Sequence, residues 1–288
     1  MTELLSPADD APAAEAPWNA ALHPAEVTLA ARDAAGLAQF YHRLLGLPVV
    51  AEEGGFRLGR LLRLRAAPEA APEPGGVPGL YHTAFLLPSR AALAGWLHHA
   101  AALGLRLQGA SDHGVSEAIY LADPEGNGIE VYRDRARAAW PRPYPGAPGV
   151  AMGTRRLDLR ALLEEVAGPV VPASVGIGHV HLRGGDVAAT SAFYQRLGLE
   201  EMQGWPQASF LGHAGYHHHL AVNGWDSAGQ RPAGLTGLAR LTLAARDEAT
   251  FRRAAAALQG AVETPEGLLA HDPSGNPLLL ARGGVAAG

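Results

Sequence analysis

An internal repeat constrains this fold more than any other feature of the sequence. Residues 27–47 and 180–199 share one plan, in which an apolar segment is followed by an Asp, an amphipathic stretch and a Gly. An Asp that caps and a Gly that ends such a stretch predict a helix between two strands. The repeat is clearest in Phe40-Tyr41-His42-Arg43-Leu44-Leu45-Gly46-Leu47 and Phe193-Tyr194-Gln195-Arg196-Leu197-Gly198-Leu199.

A second pair of segments extends the repeat to four units. Apolar segments at 82–87 and 239–243 each lead through a predicted helix to an Asp-Pro-x-Gly-Asn turn, at 123–127 and 272–276. The chain therefore divides into strand–helix–three-strand modules of about fifty residues, which predict an α+β chain with mixed or antiparallel sheets. The four modules span residues 23–74, 79–134, 176–224 and 235–283.

The modules group into two halves along the chain. We predict one domain at 21–134 and a second at 176–285, separated by a Pro- and Arg-rich linker at 135–175. The linker contains a predicted short helix at Leu157–Val166. Residues 1–20 are acidic and rich in Ala and Pro, which is typical of a disordered lead-in rather than a signal peptide.

Composition excludes several classes of function. The 288 residues contain no Cys, so disulfides, thiolate metal sites and Cys nucleophiles are excluded. A net charge of −5 without a basic stripe argues against nucleic acid as a partner. No apolar run is long enough to cross a membrane, so we expect a cytoplasmic globular protein without a membrane partner. A homo-oligomer remains open.

Glu130 is the residue whose position most suggests a functional site. It follows the turn Asp123–Gly128 and lies within Ile129-Glu130-Val131-Tyr132, which reads as a buried strand. A carboxylate in an apolar strand is costly to bury without a partner. A metal ion is one good candidate for that partner.

The four modules resemble the vicinal oxygen chelate superfamily, which includes glyoxalase I, bleomycin-resistance proteins and the type I extradiol ring-cleaving dioxygenases. The resemblance covers nearly the whole chain after Ala20. It implies four βαβββ modules, paired into two cup-shaped mixed β-sheets. It also implies that metal ligands come from the first and last strands of a module.

One segment is similar to the fingerprint of the extradiol dioxygenases. Its elements are His113, five residues, Ile119-Tyr120, two residues, Asp123-Pro124, one residue, Gly126, and Glu130 after three more. Ser111 is the one departure, because that position prefers residues such as Gly, Asn or Thr. The similarity implies that Glu130 is a metal ligand and that His113 and Tyr120 face the substrate.

Aligning the modules places Glu26, His82, His179 and Arg240 at the first-strand ligand position. The last-strand position holds Glu130 in module two and Leu279 in module four. His82, Glu130 and His179 would make the two-His, one-carboxylate set of non-haem iron oxygenases, with Fe(II) or Mn(II) as the metal.

This ligand set requires modules two and three to share a cup. Modules one and four would then form a metal-free cup, in which Glu26 pairs with Arg240. If modules one and two paired instead, and three with four, each cup would hold an incomplete ligand set.

Three consecutive histidines, His217, His218 and His219, occupy the predicted start of the last strand of module three. The segment resembles the place where extradiol enzymes carry their acid–base histidine. Strand alternation sends His217 and His219 to one face and His218 to the other. Motif similarity favours His218 as the catalytic residue, whereas alignment with Glu130 favours His219.

The resemblance implies an extradiol dioxygenase that cleaves a catechol-type ring with O₂. A histidine would move the phenol proton, and His113 and Tyr120 would hydrogen-bond the substrate oxygen. Two alternatives stay open. One is a glyoxalase-like metal isomerase or transferase, which the absence of a carboxylate at Leu279 disfavours. The other is a metal-free binding protein of the bleomycin-resistance kind.

Overall fold

The computed structural model describes residues 16–144 and 149–283. Within them each of the four modules is a strand, a helix and three further strands. Module one comprises β1 Leu22–Ala31, α1 Ala34–Leu45, β2 Val49–Glu52, β3 Gly55–Leu58 and β4 Leu62–Ala66. Module two comprises β5 Gly79–Leu87, α2 Arg90–Ala102, β6 Gly109–Asp112, β7 Ser116–Ala122 and β8 Gly128–Asp134.

The second half of the chain repeats this order after the linker. The linker contains β9 Arg155–Arg156 and α3 Leu159–Leu163, so the helix is shorter than the predicted one. Module three comprises β10 Gly176–Arg183, α4 Val187–Arg196, β11 Glu200–Trp205, β12 Ala208–Gly212 and β13 Leu220–Asn223. Module four comprises β14 Gly237–Ala245, α5 Glu248–Ala257, β15 Val262–Thr264, β16 Gly267–His271 and β17 Pro277–Arg282. The predicted α+β class with two mixed sheets is confirmed.

The modules pair across the linker rather than within each half. The eight-stranded sheet has the order β15-β16-β17-β14-β1-β4-β3-β2, which joins modules four and one. The nine-stranded sheet has the order β11-β12-β13-β10-β5-β8-β7-β6-β9, which joins modules three and two. In each sheet the two first strands are antiparallel neighbours at the centre. The predicted pairing of module two with module three is confirmed, whereas the domain limits 21–134 and 176–285 stay a prediction.

The helix caps are those that the repeat predicts. Asp33 and Asp186 each accept a hydrogen bond from the backbone three residues on, at the N-termini of α1 and α4. Gly46 ends α1 with a φ of 71°, a conformation that glycine adopts without steric cost. These caps fix where each helix begins, and the helices cover one face of each sheet through one continuous apolar core.

The segment before β1 belongs to the fold. Of the predicted lead-in, residues 1–15 lie outside the described part of the chain. Pro17–Asn19 forms a 3₁₀ turn with Pro17 buried. Trp18 packs against the cluster that contains Ala84, Leu86 and Tyr132 on the concave face of the nine-stranded sheet. The predicted limit of the lead-in is therefore wrong at these residues, because an aromatic side chain anchors them.

No helix within residues 16–144 and 149–283 combines the length and the apolar character that crossing a membrane requires.

Candidate metal centre

Three buried side chains meet on the concave face of the nine-stranded sheet. His82 comes from β5, Glu130 from β8 and His179 from β10. Strand pairing sets their positions: β5 and β10 are antiparallel with Ala84 opposite His179, and β5 and β8 are parallel with Ala84 opposite Glu130. Because side chains alternate along a strand, all three point to the same face of the sheet.

The ligand atoms lie at distances suited to one shared ion. Glu130 Oε2 is 3.0 Å from His82 Nε2 and 3.3 Å from His179 Nε2. Ligands about 2.1 Å from a metal and at right angles to one another lie roughly 3 Å apart. In the described part of the chain, this is the one group of three such residues whose ligand atoms all lie within 4.8 Å of each other.

The donor atoms also fit a metal because one of them is otherwise without a partner. His82 Nε2 is buried and, despite its closeness to Glu130, makes no hydrogen bond to any described residue. Such an orphaned nitrogen is costly unless something absent from the protein itself completes it. Two histidines and a carboxylate form a facial set for a divalent ion. The three residues are therefore suited to holding one divalent metal.

The protonation states of His179 and Glu130 favour metal binding. Burial lowers the pKa of His179 from 6.5 to about 4, although the nearby Glu130 carboxylate opposes the shift. Burial by itself would raise the pKa of Glu130, but the attraction of His179 and His82 holds it well below 4.5. At neutral pH His179 is thus neutral and Glu130 ionised, which are the forms that coordinate a metal.

His113 and Tyr120 form a hydrogen-bonded pair beside these three residues. His113 Nε2 lies 2.8 Å from Tyr120 Oη, and His113 Nδ1 lies 2.6 Å from the carbonyl oxygen of Gly153 in the linker. A carbonyl can only accept, so His113 carries a proton on Nδ1. Burial raises the pKa of Tyr120 well above 10, which keeps the phenol protonated.

The structure places the three consecutive histidines in a loop rather than in a strand. Strand β13 begins only at Leu220, so the alternation predicted for His217, His218 and His219 does not apply. His218 lines the cavity, and its ring centroid is 4.1 Å from that of His179. The other two rings are directed elsewhere: His217 to the Asp134 carboxylate and His219 to the Pro17 carbonyl.

The alignment of His219 with Glu130 is wrong. In the parallel pair β5–β8, Thr83 lies opposite Ile129, and in β10–β13, Val180 lies opposite Leu220. Thr83 and Val180 pair with each other at the sheet centre, so they are equivalent positions of the two modules. Ile129 therefore corresponds to Leu220, and Glu130, one residue further along, corresponds to Ala221. The site therefore has one carboxylate, and a small buried residue stands in the place of a second.

The site opens into a cavity of about 520 Å³, a size that suits a small organic ligand. Its polar lining includes His82, Glu130, His179, His113, Tyr120 and His218. Aromatic side chains Tyr81, Phe210 and Trp225 form part of the remaining wall. The cavity thus brings together every predicted site residue except His217 and His219.

Two residues that matter to the site are missing from the sequence-based set. His181 lines the cavity, and its Nε2 is 2.9 Å from Asn223 Nδ2. Burial lowers its pKa well below 6.5, with His82 adding to the shift. Asp134 is buried and bonded to His217. The sequence places His181 on the same strand face as His179, and module alignment prefers His179 as the ligand. Asp134 follows Glu130 by four residues on one strand face, a spacing that could have identified it.

The eight-stranded sheet has ion pairs at the equivalent position. Glu26 Oε1 lies 3.6 Å from Arg240 Nη2 and 3.6 Å from Arg63 Nε, and Arg240 also pairs with Glu266. The predicted pairing of Glu26 with Arg240 is confirmed. Guanidinium groups thus occupy the places that His179 and Glu130 hold in the other sheet.

Comparison with known proteins identifies relatives of this chain. A model of the Glyoxalase/Bleomycin resistance protein/Dioxygenase superfamily matches residues 23–131. A Catechol-2,3-dioxygenase of Bacillus subtilis (strain 168) is 38% identical over 221 residues, which cover 69% of this chain and 74% of that protein.

Solved structures share the fold at low sequence identity. A candidate dioxygenase from Bacillus subtilis subsp. subtilis str. 168 aligns with a TM-score of 0.61 and 13% identity over 90% of this chain and 84% of its own. Glyoxalase I from Zea mays aligns with a TM-score of 0.54 and 14% identity over 91% and 92% of the two chains.

Proposed function

The chain belongs to the Glyoxalase/Bleomycin resistance protein/Dioxygenase superfamily, and we propose that it is an extradiol dioxygenase that opens a catechol-type ring with O₂ at an Fe(II) ion. The observation that carries the proposal is the buried set of His82, Glu130 and His179 at a cavity that also contains a His–Tyr pair. The name of the Bacillus subtilis relative, a Catechol-2,3-dioxygenase, supports the same reaction.

The metal and the side chains would divide the chemistry between them. When bound, Fe(II) would supply the Lewis acidity and the redox capacity that ring cleavage by O₂ needs and that no side chain provides. His82, Glu130 and His179 would hold it and leave adjacent positions open. Mn(II) uses the same ligand types and is the second candidate.

The protein's own groups bind the substrate and move its proton. Tyr81, Phe210 and Trp225 give the cavity an aromatic wall on which a substrate ring can stack. His218 lines the cavity and has a neutral imidazole at neutral pH, because burial lowers its pKa well below 6.5. It is therefore suited to accept a proton from a substrate hydroxyl. The hydrogen bond between His113 and Tyr120 holds this polar pair in place, where it can bond to a substrate oxygen.

Ring cleavage of a catechol is the direct test. Protein purified without oxygen and loaded with Fe(II) is mixed with a panel of catechols and O₂, and the absorbance of the yellow ring-opened semialdehyde is followed. We expect turnover with at least one catechol and loss of turnover in Glu130→Ala. The exposed His271→Ala variant serves as the matched control and should retain wild-type turnover. A well-folded, iron-loaded protein that converts no catechol would overturn the proposal.

The structure disfavours the glyoxalase-like alternative. An isomerase site of that kind needs a second carboxylate, and the position related to Glu130 is Ala221 rather than Leu279, which lies in the other sheet. Turnover of methylglyoxal–thiol adducts by the Zn(II)- or Ni(II)-loaded protein would nevertheless favour it. Failure to take up any divalent ion would favour the metal-free binding protein.

A further inference from the structure

A continuous chain of buried hydrogen bonds runs behind the cavity. Tyr132 Oη lies 2.9 Å from Tyr216 Oη, and Tyr216 Oη donates to Asp134 Oδ2 at 2.7 Å. His217 Nε2 lies 2.8 Å from Asp134 Oδ1, and His217 Nδ1 lies 2.8 Å from His218 Nδ1. All five side chains are less than a tenth exposed. His218 is the member of the chain that reaches the cavity.

The direction of every bond in this chain follows from Asp134. A carboxylate can only accept, so His217 carries a proton on Nε2, and in the neutral imidazole form its Nδ1 is then an acceptor. His218 must therefore donate from its own Nδ1, which leaves an unprotonated Nε2 on the cavity side. At the other end Tyr216 is already a donor to Asp134, so Tyr132 donates to Tyr216. Each hydrogen bond in the chain then has one donor and one acceptor.

We propose that Asp134 and His217 are positioning residues that fix His218 as the general base, with its proton on Nδ1 and the Nε2 lone pair directed to the substrate. The inference rests on the proposed ring-cleaving function and adds the residues that set the base. A histidine held by a buried acidic partner is a recurring way to fix the tautomer of a base. Here a second histidine stands between the carboxylate and the base.

The proton transfer balances without a further reactant. The substrate O–H bond breaks, its electron pair stays on the oxygen, and the proton joins His218 Nε2. The resulting imidazolium still donates from Nδ1 to His217, and the Asp134 carboxylate lies behind it to stabilise the positive charge. Returning the proton to the product restores the starting tautomers.

The neighbouring histidines are not suited to this role. His217 is fully buried and both its ring nitrogens are engaged within the chain. His219 accepts from the backbone N–H of His213 through Nδ1 and lies 3.1 Å from the Pro17 carbonyl through Nε2, so both its nitrogens are engaged outside the cavity. His179 Nε2 is directed to Glu130 and the metal position. His218 Nε2 is thus the nitrogen left for a substrate.

The tautomers can be measured without turnover. Nitrogen-15 NMR of histidine-labelled protein distinguishes a proton on Nδ1 from one on Nε2, and Zn(II) is a suitable diamagnetic probe because it takes the same ligand types. We expect the proton of His217 on Nε2 and that of His218 on Nδ1. A wild-type His218 with its proton on Nε2 would overturn the proposal, whatever the variants do.

Asp134→Asn tests the same point through kinetics. The amide can donate to His217, which reverses the chain and places a proton on His218 Nε2. Because a general base contributes about 10²–10⁴-fold, we expect kcat for a simple catechol to fall at least about 100-fold with KM nearly unchanged. The loss should shrink below about 10-fold for a nitrocatechol, whose hydroxyl is already ionised near neutral pH.

Two further variants separate positioning from folding. Asp272→Asn removes an equally buried carboxylate in the turn of module four, where it accepts from Tyr194 of α4, and it should leave kcat unchanged. Tyr216→Phe removes one donor to Asp134 but keeps the His217 bond, and it should cost less than Asp134→Asn. Equal losses on both substrates in Asp134→Asn would contradict the proposal. If the wild-type protein converts no catechol, the proposed function fails, while the NMR result still decides the tautomers.

Discussion

At the scale of single residues, the site depends on how closely the backbone strands approach its side chains. Gly178 forms a bulge in β10 just before His179. A Cβ at Gly178 would lie 1.6 Å from Tyr132 Oη, which itself bonds to Tyr216. Glycine is thus required here because the tyrosine hydroxyl occupies the space of a side chain.

Gly178→Ala should therefore damage both stability and the site. Overpacking a tight interior costs about 1–3 kcal/mol, and the displaced β10 also carries His179. We expect a lower free energy of unfolding in urea and weaker binding of divalent metal. Gly168→Ala is the control, because a Cβ there would meet nothing within 4 Å. Equal stability and metal affinity in the two variants would show that the close approach is unimportant.

At the scale of elements, the repeated helix motif is hydrogen-bonded to the repeated Asp-Pro turn motif. Tyr41 of α1 donates to Asp123 Oδ2 in the turn of module two, and Tyr194 of α4 donates to Asp272 Oδ2 in the turn of module four. Asp123 also accepts from the backbone N–H of Asn127 and from its side-chain amide. The helix of one module thus fixes the turn of the next, immediately before the strand that carries Glu130.

Removing one of these contacts should have a measurable cost. Tyr41→Phe leaves a buried carboxylate oxygen with one donor fewer, a loss of about 1 kcal/mol or more. Urea denaturation should show that decrease in the free energy of unfolding. Tyr144→Phe alters an exposed tyrosine and should change stability little. A Tyr41→Phe variant as stable as Tyr144→Phe would count against the contact.

The sequence predicts elements well where a motif repeats and poorly where it does not. The four modules and their caps follow from periodic patterns, whereas the cross-linker pairing and the choice of His82, Glu130 and His179 rest on the family resemblance. No Asp-Pro turn precedes the three histidines. The sequence therefore predicts a strand start at the histidines, whereas β13 begins later, at Leu220. The contact of His217 with Asp134 depends on a loop of module three meeting the end of β8 in module two, which no local pattern encodes.

At the scale of the whole molecule, buried and half-buried histidines link stability to pH. Burial lowers the pKa of six of them below 6.5 in the folded state, namely His23, His179, His181, His213, His218 and His219. The unfolded chain therefore binds more protons than the folded protein once the pH falls to about 6.5. The free energy of unfolding therefore decreases as the pH is lowered below about 6.5. Burial raises the pKa of Asp123 and Asp272, which acts in the opposite sense nearer their usual value of 3.8.

Metal-free protein should accordingly be less stable in mild acid. We expect a lower Tm at about pH 5.5 than at about pH 7.5, with net proton uptake on unfolding. His219→Gln removes one of the six histidines and should reduce that difference. A Tm that is equal or higher at the lower pH would contradict the role assigned to these histidines.

The central claim is that one metal site is built from both halves of the chain, with His82 and Glu130 before the linker and His179 after it. Metal content by mass spectrometry, after loading with a divalent ion and removing the excess, tests it most directly. We predict one ion per chain in the wild-type protein and in His271→Ala, and loss of that ion in His82→Ala, Glu130→Ala and His179→Ala. Folded variants that retain the ion as fully as the wild type would contradict the claim.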